Sequence, residues 1–149
     1  MGRKRHIVVD TLGLVGDGLI TPACVQDRVA GAHLIDQVRP RQLTMEQLWA
    51  DGAYNGGFLR HARRKGWSVE IVRRSDDRQH GRWRDGQLPL IKVRPRFDLV
   101  RWRWIVERTF AWFGRYRRLS KDHEQLTGVS LAMLWVVGCR LLVQRLAYC

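Results

Sequence analysis

One stretch, residues 99–120, constrains the fold more than any other; it reads LVRWRWIVERTFAWFGRYRRLS. From about Leu99 to Arg117 its apolar positions recur at intervals of four and three residues, which predicts a helix with one buried stripe. The stripe consists of Trp102, Val106, Thr109, Phe113 and Tyr116. The same stretch carries a single acid, Glu107, among six arginines. Its position beside the stripe predicts that Glu107 is half-buried.

The other segments predict alternating strands and helices. A β-branched hairpin turns at Leu12-Gly13, and Gly66 follows a short helix as its C-cap. Residues 73–96 show no periodicity and are predicted to form a mobile basic loop. The predicted strands are 5–11, 14–21, 46–50 and 67–72, and the predicted helices are 25–38, 58–65, 99–117 and 130–146. This order predicts an α/β fold.

The bulk composition indicates a nucleic-acid partner. A chain of 149 residues, 45% of them hydrophobic, is long enough for one domain with a core. The formal net charge of +13 favours a polyanion, and DNA or RNA is the commonest one; an anionic membrane surface is the weaker alternative. The longest apolar run, Val129–Cys139, is shorter than the roughly 20 residues of a membrane span. The three cysteines have no zinc-site spacing. We expect an intracellular protein without a membrane partner.

Two isolated acids are the candidate catalytic residues. Asp51 follows a predicted strand directly and precedes a glycine turn, so its carboxylate would lie where ligands bind in an open α/β sheet. The alternative is that Asp51 only caps its own turn. Glu107 could be a metal ligand or the partner of Arg103, four residues earlier, in an ordinary helix ion pair. The spacing alone leaves these alternatives open.

Four segments resemble one family in order: GRKRHIVVDTLGL, TPACVQDR, WADGAYNGG and WIVERTFAWFGRYRRLSKDHE. Together they resemble the catalytic domain of bacterial DDE transposases of the IS5 type. The resemblance implies an RNase H-like mixed sheet flanked by helices, and three acids that bind Mg²⁺ or Mn²⁺. Asp51 corresponds to the second acid and Glu107 to the third, and Arg103 matches an arginine of the family signature. Val100 and Gly114 depart from that signature, where a tyrosine and a basic residue are expected.

The first acid of the family would lie upstream of the GRKRH segment, on the first and central strand. The resemblance therefore predicts that residues 1–149 form a partial catalytic domain, truncated at its N-terminus or encoded by a second reading frame. Asp10 also ends a strand, but by the resemblance it belongs to the second strand and is structural. Without the central strand, two interior strand edges would be unpaired. We expect the chain alone to be catalytically inactive and poorly folded, and to need an upstream-frame segment.

The expected partner is double-stranded DNA, at transposon ends and at the target, with a homo-oligomer as a further expectation. The predicted DNA contacts are Arg103, Arg108, Arg115, Arg118 and Lys121, with a second basic cluster at residues 3–5. The enzymatic hypothesis is DNA transposition, in which water and then a 3′-hydroxyl attack a phosphodiester at the metal site. The alternative is a non-catalytic DNA-binding remnant. Both place the protein in the cytoplasm, associated with the nucleoid.

Overall fold

A computed structural model describes residues 2–38, 40, 45–72 and 101–147 of the chain. The predicted loop at 73–96 lies outside the described residues. The strands are β1 (Arg3–Val9), β2 (Val15–Pro22), β3 (Gln47–Asp51) and β4 (Ser68–Val72), and the helices are α1 (Asp27–Val38), α2 (Gly57–Arg64), α3 (Arg101–Gly114), α4 (Arg117–Ser120) and α5 (Thr127–Ala147). A single 3₁₀ turn, Gly52–Tyr54, follows β3. The described strands and helices follow the predicted order, except that α4 is an additional short helix, and the α/β class is confirmed.

The hairpin of β1 and β2 is antiparallel, with Arg3 opposite Pro22 and Val9 opposite Val15. Asp10 holds its turn: one carboxylate oxygen accepts hydrogen bonds from the backbone nitrogens of Leu12 and Leu14 at 2.9 and 2.7 Å. Gly13 has φ +84°, a conformation that favours glycine over residues with a Cβ. Asp10 therefore has a structural task in the turn.

The second sheet pairs β3 with β4 in parallel, from Gln47 opposite Ser68 to Asp51 opposite Val72, with α2 in the connection. Among the described residues the two sheets are separate, each of two strands. The RNase H-like arrangement, with a further strand in the centre, stays a prediction.

Within the described residues, two apolar clusters form the core. The first lies between α1, α2 and the parallel strands, and the second lies between β2 and helices α3, α4 and α5. The buried members of the first are Leu34, Ile35, Val38, Phe58, Ala62 and Trp67. Those of the second are Ile20, Phe113, Leu119, Leu134 and Val137. The helices at 101–120 therefore pack on the hairpin through the second cluster, and the strand that bears Asp51 packs on the first.

The largest differences from the predicted helix boundaries lie at the end of α3 and the start of α5. The helix predicted to run from residue 99 to residue 117 ends at Gly114, and α4 begins at Arg117 after a break with an extended Tyr116. Glycine has poor helix propensity, which explains the break there. The last helix begins at Thr127, three residues before the predicted start, and reaches Ala147. By length and composition alone, α5 could cross a membrane.

An ionic cluster at Asp122 ties the start of α5 to β1. Asp122 lies 3.2 Å from an Arg3 nitrogen and 3.9 Å from an Arg5 nitrogen, and it accepts a hydrogen bond from Ser130 Oγ at 2.5 Å. Partial burial opposes the charged form, but the hydrogen bonds and the two arginines lower the pKa of the Asp122 carboxyl overall. The basic residues at 3–5, predicted to contact DNA, are therefore paired within the chain, since Lys4 also lies 2.9 Å from Asp27.

Candidate functional site

Asp51 is the last residue of β3 and lies at the carboxyl edge of the parallel pair. Its Oδ1 accepts a hydrogen bond from the Gly52 nitrogen at 2.6 Å and caps the 3₁₀ turn that follows. The capping interpretation of Asp51 is therefore realised. It leaves Oδ2 unused in the turn, and 52% of the side chain is exposed. A carboxylate at this edge with one oxygen facing outward can still bind a cation.

Glu107 lies on α3. Its carboxylate and that of Asp51 both lie close to the guanidinium of Arg103. Arg103 donates from Nε to Glu107 Oε1 at 2.8 Å, and its Nη2 lies 3.9 Å from Asp51 Oδ2. The helix ion pair considered from the sequence is present, and it also joins the two candidate acids. The prediction that Glu107 is half-buried is wrong, because 59% of its side chain is exposed. Its residue number places it beside the buried stripe, but the carboxylate extends into solvent with Arg103.

A pair of tryptophans sets α3 against β3 beside these acids. Trp49 and Trp102 stack with ring centroids 4.3 Å apart and planes 17° from parallel. Trp49 precedes Asp51 by two residues, so both side chains lie on the same side of the strand. Trp102 adjoins Arg103 on the helix. The indole of Trp49 also donates to Glu70 on β4 at 3.0 Å. This stack fixes the distance between the strand of Asp51 and the helix of Glu107.

A buried polar chain connects the turn after Asp51 to the hairpin. The Tyr54 hydroxyl lies 2.7 Å from Nδ1 of His6, and Nε2 of His6 lies 3.1 Å from Thr21 Oγ1. His6 is only 3% exposed, and burial lowers its pKa, an effect that the charge of Asp27 opposes and that of Lys4 adds to. Burial, with the charges of Asp27 and Asp51, raises the pKa of Tyr54 to about 12. A neutral imidazole can donate from one nitrogen and accept at the other, which satisfies both hydroxyls.

The donor set suits a hard cation. Carboxylate oxygens are what Mg²⁺ and Mn²⁺ prefer, and Mg²⁺ is often held by one or two carboxylates together with substrate phosphates. Arg103 already shows that a positive charge is stable between Asp51 and Glu107. No group of three or more His, Cys, Asp or Glu side chains gathers within the described parts of the chain. The described residues therefore offer two candidate ligands, Asp51 and Glu107, where the resemblance implies three.

Comparison with known proteins identifies the family of the chain. The family model described as "Transposase DDE domain" matches residues 1–142. The chain belongs to the DDE transposase family. It is also similar to a Burkholderia cepacia protein that carries the name of a transposase for insertion sequence element IS402. The two are 31% identical over an aligned length of 149 positions, and the alignment covers 95% of this chain and 62% of that protein. The chain thus spans less than two thirds of that relative's length. No solved structure gives a significant match.

The basic residues on and after α3 that the sequence predicts to contact DNA fall into two groups. Arg108 is engaged inside the chain: its guanidinium lies between the rings of Trp104 and Trp112, at 4.5 and 4.8 Å, and donates to the Leu12 carbonyl at 2.9 Å. Arg145 reaches the other side of this arrangement, 4.6 Å from Trp112. The exposed group consists of Arg115, Arg118 and Lys121, at and after the end of α3. Arg118 makes one surface contact, 3.3 Å to Glu124.

Sequence reasoning missed the residues that support the acids. His6 and Thr21 carry no motif, and their contact with Tyr54 depends on how the hairpin lies against the turn after β3. Tyr54 stands in the WADGAYNGG segment, three residues after Asp51, which is the one signal that could have marked it. The stack of Trp49 on Trp102 joins positions 53 residues apart in sequence, and no local pattern predicts such a pair.

Proposed function

We propose that this chain supplies two of the metal-binding carboxylates, Asp51 and Glu107, of a transposase of the IS5 type that cleaves DNA and transfers the cleaved strand. The observation that carries the proposal is the shared contact with Arg103: two acids from separate elements approach one cation at an exposed edge of the fold. Membership of the DDE transposase family supports it. Other acids of the chain, such as Asp10 and Asp122, are likewise engaged in a turn or in ion pairs, so it is the shared cation that sets Asp51 and Glu107 apart from them.

Within this proposal each residue has a stated task. Asp51 and Glu107 would hold Mg²⁺ or Mn²⁺ through their outward-facing oxygens. The bound ions would stabilise the charge on the attacking and leaving oxygens of an in-line phosphoryl displacement. Arg103 neutralises the two acids and is available to a DNA phosphate. The stack of Trp49 and Trp102 holds the strand and the helix at a constant separation.

The third acid, in our proposal, comes from a segment beyond these 149 residues, either from an upstream reading frame or from another part of a longer protein. The greater length of the Burkholderia cepacia relative is consistent with a further segment that supplies this acid. We propose accordingly that the chain alone is inactive, and that double-stranded DNA is its partner. Nicking of DNA by the purified chain alone with Mg²⁺, abolished by Asp51→Ala, would show the requirement for another segment to be wrong.

The first experiment is to sequence the DNA on both sides of the reading frame. We expect inverted repeats on both sides of the complete insertion element. Upstream of this reading frame, in any frame, we expect codons for a strand that ends in Asp. Fusion of that segment to this chain should give Mg²⁺-dependent cleavage of a duplex carrying the repeat. Asp51→Asn and Glu107→Gln should each lower the cleavage rate by about 100-fold or more, as removal of a metal ligand does.

Glu46→Gln is the matched control, since Glu46 is an exposed acid directly before β3, five residues from Asp51. It should cleave at the unmodified rate. DNA binding should persist in all three variants. Cleavage that survives Asp51→Asn would refute the assignment of the acids. A fusion that binds DNA but neither cleaves it nor binds Mn²⁺ would favour the non-catalytic remnant.

A further inference from the structure

The segment from Asp51 to Gly57 leads from the end of β3 into α2. It contains three glycines, and an added Cβ at any of them would meet no atom of the described residues within 4 Å beyond the adjoining backbone. Glycines give a segment high backbone freedom, which must be restrained if the segment is to hold one structure. Within this segment, Tyr54 is the one residue that is not exposed. Tyr54 is therefore the anchor of the turn that follows Asp51.

The ring and the hydroxyl of Tyr54 are held by different elements. The ring packs so closely on α1 that a Cβ at Gly31 would lie 2.6 Å from Cδ1, and it meets Phe58 of α2 with centroids 5.5 Å apart. The hydroxyl lies 2.7 Å from His6 on β1, and His6 in turn lies 3.1 Å from the Thr21 hydroxyl on β2. Both ring nitrogens of His6 are thus used, whichever of them carries the proton. The hydroxyl therefore ties the turn after β3 to the other sheet.

From this arrangement we infer that Tyr54 is a positioning residue for Asp51. Its hydroxyl, held by His6, keeps the turn after β3 in the geometry that leaves Oδ2 of Asp51 directed outward to a cation. The inference rests on the proposed function, since it takes Asp51 as a metal ligand. It adds a residue that acts through Asp51 and does not itself contact the ion or the DNA.

The 3₁₀ turn transmits the position of Tyr54 to the carboxylate. Asp51 is the N-cap of this turn and Tyr54 is its last residue. Because the Gly52 nitrogen donates to Asp51 Oδ1 at 2.6 Å, a rotation of the turn moves this donor and rotates the carboxylate with it. Oδ2, which lies 3.9 Å from Arg103, would then leave its place beside the cation. Groups that orient a metal ligand from outside contribute about 10–100-fold to metal affinity.

The alternative is that the Tyr54 hydroxyl serves stability alone. His6 is 3% exposed, and a buried imidazole needs hydrogen-bond partners wherever it lies. On that view the loss of the hydroxyl would lower the Tm, but the turn and the carboxylate of Asp51 would keep their positions. The two roles therefore differ in the local mobility of the turn and in metal affinity, and both quantities can be measured below the unfolding temperature.

The first test is amide hydrogen exchange of the full chain with Tyr54→Phe, which keeps the ring and removes the hydroxyl. Protection of the Gly52 amide, the donor to Asp51, should fall by about five- to tenfold, because one hydrogen bond that restrains the turn is lost. Tyr116→Phe is the matched control, since Tyr116 packs against the second apolar cluster. It should leave the protection of the Gly52 amide unchanged.

The second test is Mn²⁺ binding to the fused protein, followed by electron paramagnetic resonance of the free ion. Binding that Asp51→Asn removes defines the site. Tyr54→Phe should raise the Kd of that site about tenfold, and cleavage at saturating Mn²⁺ should stay near the unmodified rate. Thr21→Val breaks the same hydrogen-bonded chain at its far end without altering the turn, so it should raise the Kd as well. Circular dichroism confirms that each variant is folded at the temperature used.

A lower Tm in Tyr54→Phe, with Gly52 protection and Mn²⁺ affinity both unchanged, would overturn the inference and assign the hydroxyl to stability alone. A Thr21→Val protein with unchanged Mn²⁺ affinity would show that the hairpin does not hold the turn, which also overturns it. Mn²⁺ binding that Asp51→Asn leaves intact would instead refute the proposed function. In that case the exchange of the Gly52 amide still decides whether Tyr54 holds the turn.

Discussion

At the scale of single residues, Arg103 decides how the candidate site is organised. One guanidinium contacts a strand-end acid and a helix acid, 2.8 Å from Glu107 and 3.9 Å from Asp51. An exposed pair of this kind contributes little to stability, because solvent screens it. The pair matters because both carboxylates already lie beside one position, where a bound cation could contact both of them. Both local interpretations from the sequence, a turn cap and a helix ion pair, are compatible with a shared site.

His6 is the residue whose protonation should matter most to stability. Burial lowers its pKa below the ordinary 6.5, so the unfolded chain binds a proton more readily than the folded one. Stability is then complete above about pH 6.5 and falls as the pH is lowered through that value toward the folded-state pKa. Thermal unfolding should show a lower Tm at about pH 5.5 than at about pH 7.5.

His6→Gln should flatten this dependence, since an amide can replace one hydrogen bond and does not titrate in this range. His33→Gln, at an exposed histidine of α1, should leave the dependence unchanged. The carboxyls of Asp36 and Asp122 have lowered pKa values. Their contribution to folding stability is lost only as the pH falls to and below their ordinary pKa of 3.8, so this pH range is separate from that of His6. An undiminished Tm change in His6→Gln would locate the pH dependence elsewhere.

At the scale of elements, the sequence predicts what depends on local pattern. Periodicity gave the order of strands and helices, and Gly66 and the Leu12-Gly13 turn were found where local chemistry requires them. Boundaries were less certain: the helix at 99–117 breaks after Gly114, although the apolar spacing continues to Tyr116. Side-chain burial next to a stripe was also misjudged at Glu107, because a long carboxylate can extend toward Arg103. Contacts between distant elements, such as Trp49 with Trp102, need the fold itself.

Gly31 gives an element-scale prediction, because it allows α1 to approach the turn after β3. A Cβ at this position would lie 2.6 Å from Tyr54 Cδ1 and 3.0 Å from Phe58 Cδ2. Gly31→Ala should therefore destabilise the chain by about 1–3 kcal/mol, despite the better helix propensity of alanine. The same change at Gly138 in α5 should instead stabilise by about 0.5–1 kcal/mol, because no atom of the described residues beyond the local helix backbone lies within 4 Å of the added Cβ.

Urea unfolding of the two variants against the parent chain measures this difference. The opposite signs are the essential result, because the change in side chain and in helix propensity is the same in both. If Gly31→Ala is as stable as Gly138→Ala, then α1 and the turn that bears Tyr54 are further apart than the structure has them. The buried contact of Tyr54 with His6 would then be in doubt as well.

At the scale of the whole molecule, a net charge of +13 on 149 residues favours binding to DNA, but the fold decides which charges are available. Arg3, Arg5 and Lys4 are paired with Asp122 and Asp27. Arg108 and Arg145 share the rings of Trp112 and the Leu12 carbonyl. Among the described residues, exposed cations remain after α3 and also on α2, at Arg60, Arg63 and Arg64, and these can reach a phosphate. The number of DNA contacts should therefore be smaller than the charge alone indicates.

The salt dependence of binding measures that number directly, since each phosphate contact adds about 0.9 to the slope of log affinity against log salt concentration. In Arg115→Gln/Arg118→Gln/Lys121→Gln the slope should fall by about 2–3 for a fluorescent duplex of mixed sequence. Arg108→Gln removes one charge from the stack between Trp104 and Trp112, so it should lower the Tm and leave the slope nearly unchanged. A slope that falls with Arg108→Gln but not in the triple variant would place the DNA along α3 near Glu107, not at its far end. Because binding and cleavage are separate, the triple variant in the fused protein should also cleave at an undiminished rate once DNA is saturating.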